Sequence, residues 1–237
     1  MGDGRFLIVN GDDFGQSAGI NRGIIAAIEQ GILTSASLMV RWPRAAEAAE
    51  YARSHASLGV GLHLDFGEWA FRKGEWVRLY SVVNERDQGA VEREIISQLA
   101  VFRNLMGRDP THIDSHQHAH RHEPAFSIVT RFANDLGVPV RGADSRVRYC
   151  GRFYGQCYDG TPWPEAITVD ALVGILSGLE PGFTELVCHP ATVTDLDTMY
   201  GSERLQELQA LCDSRAREVI ETLGIELCSF ASVTSGA

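Results

Sequence analysis

Short apolar runs alternate with longer stretches of helical period along the chain. Residues 6–10, 35–40, 58–64, 111–115, 139–141, 184–188 and 225–230 read as strands. Between the first two, Ile20, Ile24 and Ile28 recur every four residues, one face of a helix that Gly31 ends. Residues 44–55 are rich in Ala and Glu and predict a helix. Val91, Ile95, Leu99, Phe102 and Met106 mark an amphipathic helix closed by Gly107. Pro124 suits a first helical turn, where its missing N–H goes unused, and Ile128, Val129, Phe132 and Leu136 supply the buried face that follows. Residues 168–179 predict another helix. Leu205, Leu208, Cys212, Val219 and Leu223 outline a long last one before Gly224. The aromatic-rich residues 66–90 and the Gly-, Arg- and Tyr-rich residues 142–167 read as loops.

Strand then helix, repeated about seven times, implies parallel strands joined by helical crossovers. Over 237 residues this α/β pattern predicts one domain, residues 1–237, built as a distorted or incomplete (β/α) barrel of about seven parallel strands. A doubly wound open sheet is the alternative. Lys plus Arg number 21 against 31 Asp plus Glu, a net charge of −10. That balance disfavours a nucleic-acid or anionic-membrane partner, which needs a basic face. No run reaches the roughly 20 apolar residues of a membrane span, and residues 1–6 lack the apolar run of a signal peptide. The five cysteines are odd in number and form no C-x-x-C pair, so a reducing compartment and a cytoplasmic protein are expected. A homo-oligomer is compatible with all of this.

The chemistry-bearing residues fall where predicted strands end: Asp12 and Asp13 after the first, His63 at the third, Asp114 and His116 to His122 after the fourth, His189 after the sixth. In a parallel α/β protein those ends share one face, where active sites are built. Adjacent carboxylates repel, so Asp12-Asp13 gains little as a plain turn. One on a metal and the other as a general base is the functional reading. Asp114 and the five histidines from His112 to His122 all hold even positions and would share one side of an extended chain. Asp13, His63 and His116 form a His₂–carboxylate set that suits Zn²⁺ with an open position and also other divalent ions. Asp114, His118 and His120 could orient those ligands or meet substrate. No phosphate-binding, dinucleotide or serine-elbow motif is present. All four tryptophans, Trp42, Trp69, Trp76 and Trp163, fall in predicted loops, where they either stack on a substrate ring or pack the loop.

At these residues the chain resembles the YdjC-like carbohydrate deacetylase family, which includes chitooligosaccharide deacetylases and hopanoid-biosynthesis relatives. The matching pieces are Ile8-Val9-Asn10-Gly11-Asp12-Asp13-Phe14-Gly15, Asn21-Arg22-Gly23-Ile24, Gly61-Leu62-His63-Leu64, Pro110-Thr111-His112-Ile113-Asp114-Ser115-His116-Gln117-His118-Ala119-His120 and Cys188-His189-Pro190. The resemblance implies a distorted barrel and one divalent metal ion, Zn²⁺ or Mg²⁺, on Asp13, His63 and His116. It places the base on Asp12 and an acid on His189, and implies a small N-acetylated sugar as substrate. Two rivals stay open. One is another metallohydrolase, acting on a phosphoester or a cyclic amide, with Arg141, Arg146, Arg148 and Arg152 as its phosphate contacts. The other is a metal-binding protein without catalysis, which would have no use for a carboxylate free at Asp12.

Overall fold

A computed structural model of the chain describes residues 4–234. In chain order its elements are Arg5–Phe14 (β1), Ala18–Glu29 (α1), Ser35–Leu38 (β2), Ala45–Ser54 (α2), Gly59–Leu64 (β3), Gly67–Arg72 (β4), Glu75–Ser81 (β5), Gln88–Met106 (α3), Ile113–Ser115 (β6), Ala125–Leu136 (α4), Val147–Cys150 (β7), Val169–Ser177 (α5), Gly182–Cys188 (β8), Ser202–Leu211 (α6), Ser214–Thr222 (α7), Ile225–Leu227 (β9) and Phe230–Thr234 (α8). Seven strands make one parallel sheet in the order β6-β3-β2-β1-β8-β7, with β9 beside β1. β8 takes one edge of β1 from Arg5 to Gly11. On the other edge β9 pairs with Arg5–Leu7 and β2 takes over from Asn10. Thr34 bridges that hand-over: its N–H donates to the Val9 carbonyl and its hydroxyl to the Cys228 carbonyl.

The sheet is curled into a half-barrel. β6 and β8 stand four strand spacings apart in the sheet order, about 19 Å if flat. Yet one guanidinium, that of Arg141, bonds Asp114 on β6, Asp12 on β1 and Glu185 on β8. Only a curved sheet brings those strand ends to one point. The strands read as continuous apolar runs because both faces are covered: Leu7, Ile8 and Val9 are all buried. Gly23 explains one close approach, since a Cβ there would stand 2.3 Å from the Cα of Ala191. It lets α1 lie against the segment that carries His189.

Five expectations need correction. Residues 139–141 contribute a single bridge, Val140 to Ile113, and not a strand. The strand beside β8 comes instead from Val147–Cys150, inside the segment read as loop. The aromatic-rich segment holds the antiparallel hairpin β4–β5, closed by Lys73-Gly74. Both turn residues have positive φ, 53° and 89°, the two-residue geometry that matches strand twist; Lys in the first place hid the signal. The long last helix is two, because Asp213 caps a new start by accepting the Arg215 N–H. The final strand stops at Leu227, and Phe230 begins α8 with its ring stacked 3.8 Å from that of His112. Among the described residues, no helix is long and apolar enough to cross a membrane.

Candidate active site

In a regular strand Asp12 and Asp13 would point to opposite faces. The pairing of β1 with β2 shifts register between Gly11 and Phe14, and Asp13 takes a left-handed φ of 67°. The kink turns both carboxylates inward, where they are 3% and 1% exposed. Such a backbone costs on the order of 1–3 kcal/mol and persists where its surroundings hold it. Asn21 on α1 supplies part of that hold: its side chain accepts the Gly15 N–H at 2.8 Å and donates to the Arg44 carbonyl at 3.1 Å.

Asp13, His63 and His116 converge, one ligand atom from each lying within 4.8 Å of the others. Asp13 Oδ1 is 3.3 Å from His63 Nε2 and 3.0 Å from His116 Nδ1. Asp114 takes the other side of His63, accepting from Nδ1 at 2.7 Å. That bond sets the tautomer and aims Nε2 at Asp13, the usual arrangement of a carboxylate behind a metal-ligating histidine. Burial opposes charge on His63, but Asp114 and Asp12 outweigh it and raise its pKa to about 10. His116 is raised in the same way, burial being overcome by Asp13. His116 Nε2 is buried with no hydrogen-bond partner. A carboxylate, two imidazoles and an orphaned ring nitrogen fit a divalent cation.

A pH dependence follows from His63. Asp114 and Asp12 favour a proton on His63 up to about pH 10, and an imidazole must give up that proton to act as a metal ligand. Zn²⁺ affinity is therefore expected to rise with pH below that value, by up to about tenfold per unit for one proton released. Competition titrations at pH 6, 7 and 8 check the sign. A flat or falling affinity contradicts it.

Asp12 is not the free carboxylate the sequence suggests. Arg141 grips it at both oxygens, 2.6 and 2.7 Å, and Asn10 donates to Oδ1 at 2.9 Å. Burial would raise the Asp12 pKa; the guanidinium outweighs it and holds the carboxyl below its usual range. Arg141 is therefore no rim contact for phosphate. It is buried and also binds Asp114 at 2.6 Å and Glu185 at 2.7 Å. Arg146 pairs with Asp144 and Arg148 with Glu180, while Arg152 is exposed.

His189 follows β8 and places Nε2 3.8 Å from Asp12 Oδ2. Its N–H donates to Glu207, and its Nδ1 is buried without a hydrogen bond. Burial lowers its pKa to about 4, so it rests neutral near pH 7, where a ready acid would be protonated. The even-position pattern from Asp114 onward breaks at Ser115. Gln117 and His118 turn left-handed, φ 49° and 56°, and form a kink inside the short 3-10 segment His116–Arg121. His118 faces the cavity and sits 3.0 Å from the Tyr149 hydroxyl. His120 is a strut, with Nδ1 on Ser115 Oγ and Nε2 on the Arg141 carbonyl. His112 lies in the core against Ser37, and His122 is exposed.

These groups open on a cavity of about 410 Å³ lined by Asp12, Asp13, His116 and His189, a volume in the range of small-molecule sites. Its outer wall comes from segments read as loops: Glu68 and Trp76 on the hairpin, and Tyr149 and Tyr154 around β7. Trp42 instead donates to Asp65, Trp69 stacks under Arg78, and Trp163 is half-exposed. α6 also faces inward with charge. Glu203, Arg204 and Glu207 are buried there, while Leu205 and Leu208, expected on its buried face, are only partly covered.

A family model described as YdjC-like protein matches residues 6–222. The chain belongs to this family. The match takes in every strand-end residue above, together with Arg141, Arg204 and Glu207. A carbohydrate deacetylase of Geobacillus stearothermophilus is 33% identical over 95% of this chain and 97% of its own. A chitooligosaccharide deacetylase of Klebsiella pneumoniae (strain 342) is 30% identical over 97% and 99%. Both names are those of hydrolytic enzymes, in line with the expectation of a carbohydrate deacetylase. Among solved structures, an Enterococcus faecalis V583 protein provisionally named for cellobiose-phosphate cleavage aligns with a TM-score of 0.76 at 24% identity, over 97% of this chain and 99% of its own. A family 4 carbohydrate esterase from Streptomyces lividans, in complex with acetate, aligns at 0.58 and 15%, over 96% and 93%. Those two likenesses concern the fold of the YdjC-like chain.

Proposed function

We propose that this YdjC-like protein removes the N-acetyl group from an amino-sugar, with one divalent ion, Zn²⁺ or Mg²⁺, on Asp13, His63 and His116, in a single cytoplasmic catalytic domain. The observation that carries the reading is one cavity that holds the metal-ligand trio, a clamped carboxylate and a histidine together. When bound, the ion supplies Lewis acidity, which polarises the acetyl carbonyl and acidifies water. Asp12 takes the proton of the attacking water. Arg141 weakens it as a base and in exchange keeps it ionised and aimed. His189 starts neutral, takes up a proton during the cycle and hands it to the leaving nitrogen, which is too basic to depart unprotonated. Asp12, 3.8 Å away, is the nearest source. Asp114 and His120 act behind this layer, on His63 and on the Arg141 carbonyl. His118 and the aromatic wall of Trp76, Tyr149 and Tyr154 meet the sugar. The deacetylase relatives support the substrate class. The engaged state of Arg141, Arg146 and Arg148 speaks against a phosphoester. The five unpaired cysteines support the reducing compartment.

The test is acetate release across a panel of N-acetylated mono- and oligosaccharides, with metal content measured on the same sample. Release from at least one member is expected. A metal-loaded protein that releases acetate from none sinks the reading. His189→Ala separates the acid from the rest. It is expected to keep its metal and to lose kcat/KM by about 10²–10⁴ on an N-acetyl substrate, with a much smaller loss on an activated O-acetyl ester, whose leaving group needs no proton. Equal losses on both substrates assign His189 a structural role.

A further inference from the structure

Asp13 has two oxygens, and only one of them faces the histidines. Oδ1 lies between His63 Nε2 and His116 Nδ1. Oδ2 accepts a hydrogen bond from Arg204 Nη2 at 2.6 Å. Arg204 itself has little freedom. Its Nε donates to the Tyr200 carbonyl at 2.9 Å, its Nη1 reaches the His189 carbonyl at 3.5 Å, and its own carbonyl accepts the Ala191 N–H. The residue is 5% exposed. Asp13 is equally constrained, by its left-handed backbone at the end of β1. A charge-assisted bond between two fixed partners is short and strong, so the carboxylate cannot swing to offer both oxygens at once. Large, oxygen-seeking ions gain from a two-oxygen carboxylate and a high coordination number, whereas Zn²⁺ is satisfied by single nitrogen and oxygen donors in a four-coordinate site.

We propose that Arg204 is a positioning residue that holds Asp13 to ligation through one oxygen and thereby biases the centre toward Zn²⁺ over larger, oxygen-seeking ions such as Mn²⁺. This rests on the reading of Asp13, His63 and His116 as metal ligands. The guanidinium acts through Asp13, whose Oδ2 it holds.

The test compares the full chain with Arg204→Met, Arg204→Gln and Arg204→Lys, each stripped with chelator and checked for a wild-type circular dichroism spectrum. Zn²⁺ affinity is read by competition with a chromophoric chelator, and Mn²⁺ affinity from the electron paramagnetic resonance signal of the free ion. The readout is the ratio of the two Kd values, Mn²⁺ over Zn²⁺. In Arg204→Met the ratio is expected to fall by about 10- to 100-fold, the scale on which partners behind a metal ligand act. Arg204→Lys, which can still reach Oδ2 with a charged donor, is expected to restore most of it. If Arg204→Met does not fold, Arg204→Gln decides, with a smaller fall in the same direction. A role in folding alone would shift both affinities together and leave the ratio unchanged, and that result overturns the inference. A wild-type chain that binds neither ion overturns the metal reading, and the inference with it.

Discussion

An Asp12→Asn protein is expected to retain its metal and lose turnover, while Asp13→Asn loses both. Neighbours in sequence, the two carboxylates have different partners. Asp13 Oδ1 stands between the two imidazoles, and an amide there removes the negative charge that a divalent ion needs. Asp12 is turned toward Arg141 and His189. Its replacement by an amide leaves the trio intact but cannot accept the proton of the attacking water. Loss of a general base costs about 10²–10⁴ in rate, to be read as kcat with metal content measured on the same protein. The introduced amide also meets the Arg141 donors, so some stability goes with it; melting curves keep that loss apart from the kinetic one. Normal turnover in Asp12→Asn moves the base elsewhere. Full metal in Asp13→Asn removes Asp13 from the ligand set.

The convergence of Asp13, His63 and His116 was legible because residue types able to ligate a metal are rare at strand ends and stand out singly. His63 interrupts an apolar strand; Asp13 lies at the kinked end of β1, and His116 directly follows β6. The groups behind them left a weaker trace. Arg141 looked like one of several arginines near a rim, although its place right after Pro139-Val140 was a usable hint: a cation at the end of an apolar run must find buried anions. Arg204 and Glu207 were hidden by helical period. Leu205 and Leu208 suggested the inward face of α6, yet that face carries Glu203, Arg204 and Glu207. The apolar stripe yields there because each polar group finds its own partner: Arg204 pairs with Asp13, Glu207 accepts from the Tyr200 hydroxyl and the His189 backbone N–H, and Glu203 accepts from the Gln156 amide. The even spacing of the histidines failed for a local reason. It presumes an extended chain, but β6 ends at Ser115 and the left-handed residues Gln117 and His118 follow in the next turn. The barrel itself followed from strand and helix alternation. The hairpin and β7 did not, because half-exposed strands carry little periodic signal.

Arg141→Met is expected to cause the largest loss of stability of any single change at the site. The wild-type guanidinium is buried and bonded to Asp12, Asp114 and Glu185. Removing one partner of a buried ion pair costs about 3–5 kcal/mol, because the remaining charge stays buried and unpaired. Here three carboxyls lose their partner together. For a chain of this size that corresponds to a fall in Tm on the order of 6–20 °C. The pH dependence has a definite sign. In the wild type Asp12 and Asp114 are held below the usual carboxylate range, against burial, chiefly by Arg141. Their contribution is present above the unfolded value near 4 and is lost as pH falls through the lower folded value. Without Arg141, burial pushes the same carboxyls up instead. Glu185 shows the tendency already, raised to about 7 by burial even with the guanidinium beside it. The deficit of the variant is therefore largest at pH 8 and narrows toward pH 5.5, as the orphaned carboxyls take up protons. Urea unfolding of both proteins at the two pH values measures it. A deficit that is constant with pH would mean that Arg141 acts through packing, and that the three carboxylates are solvated by other means.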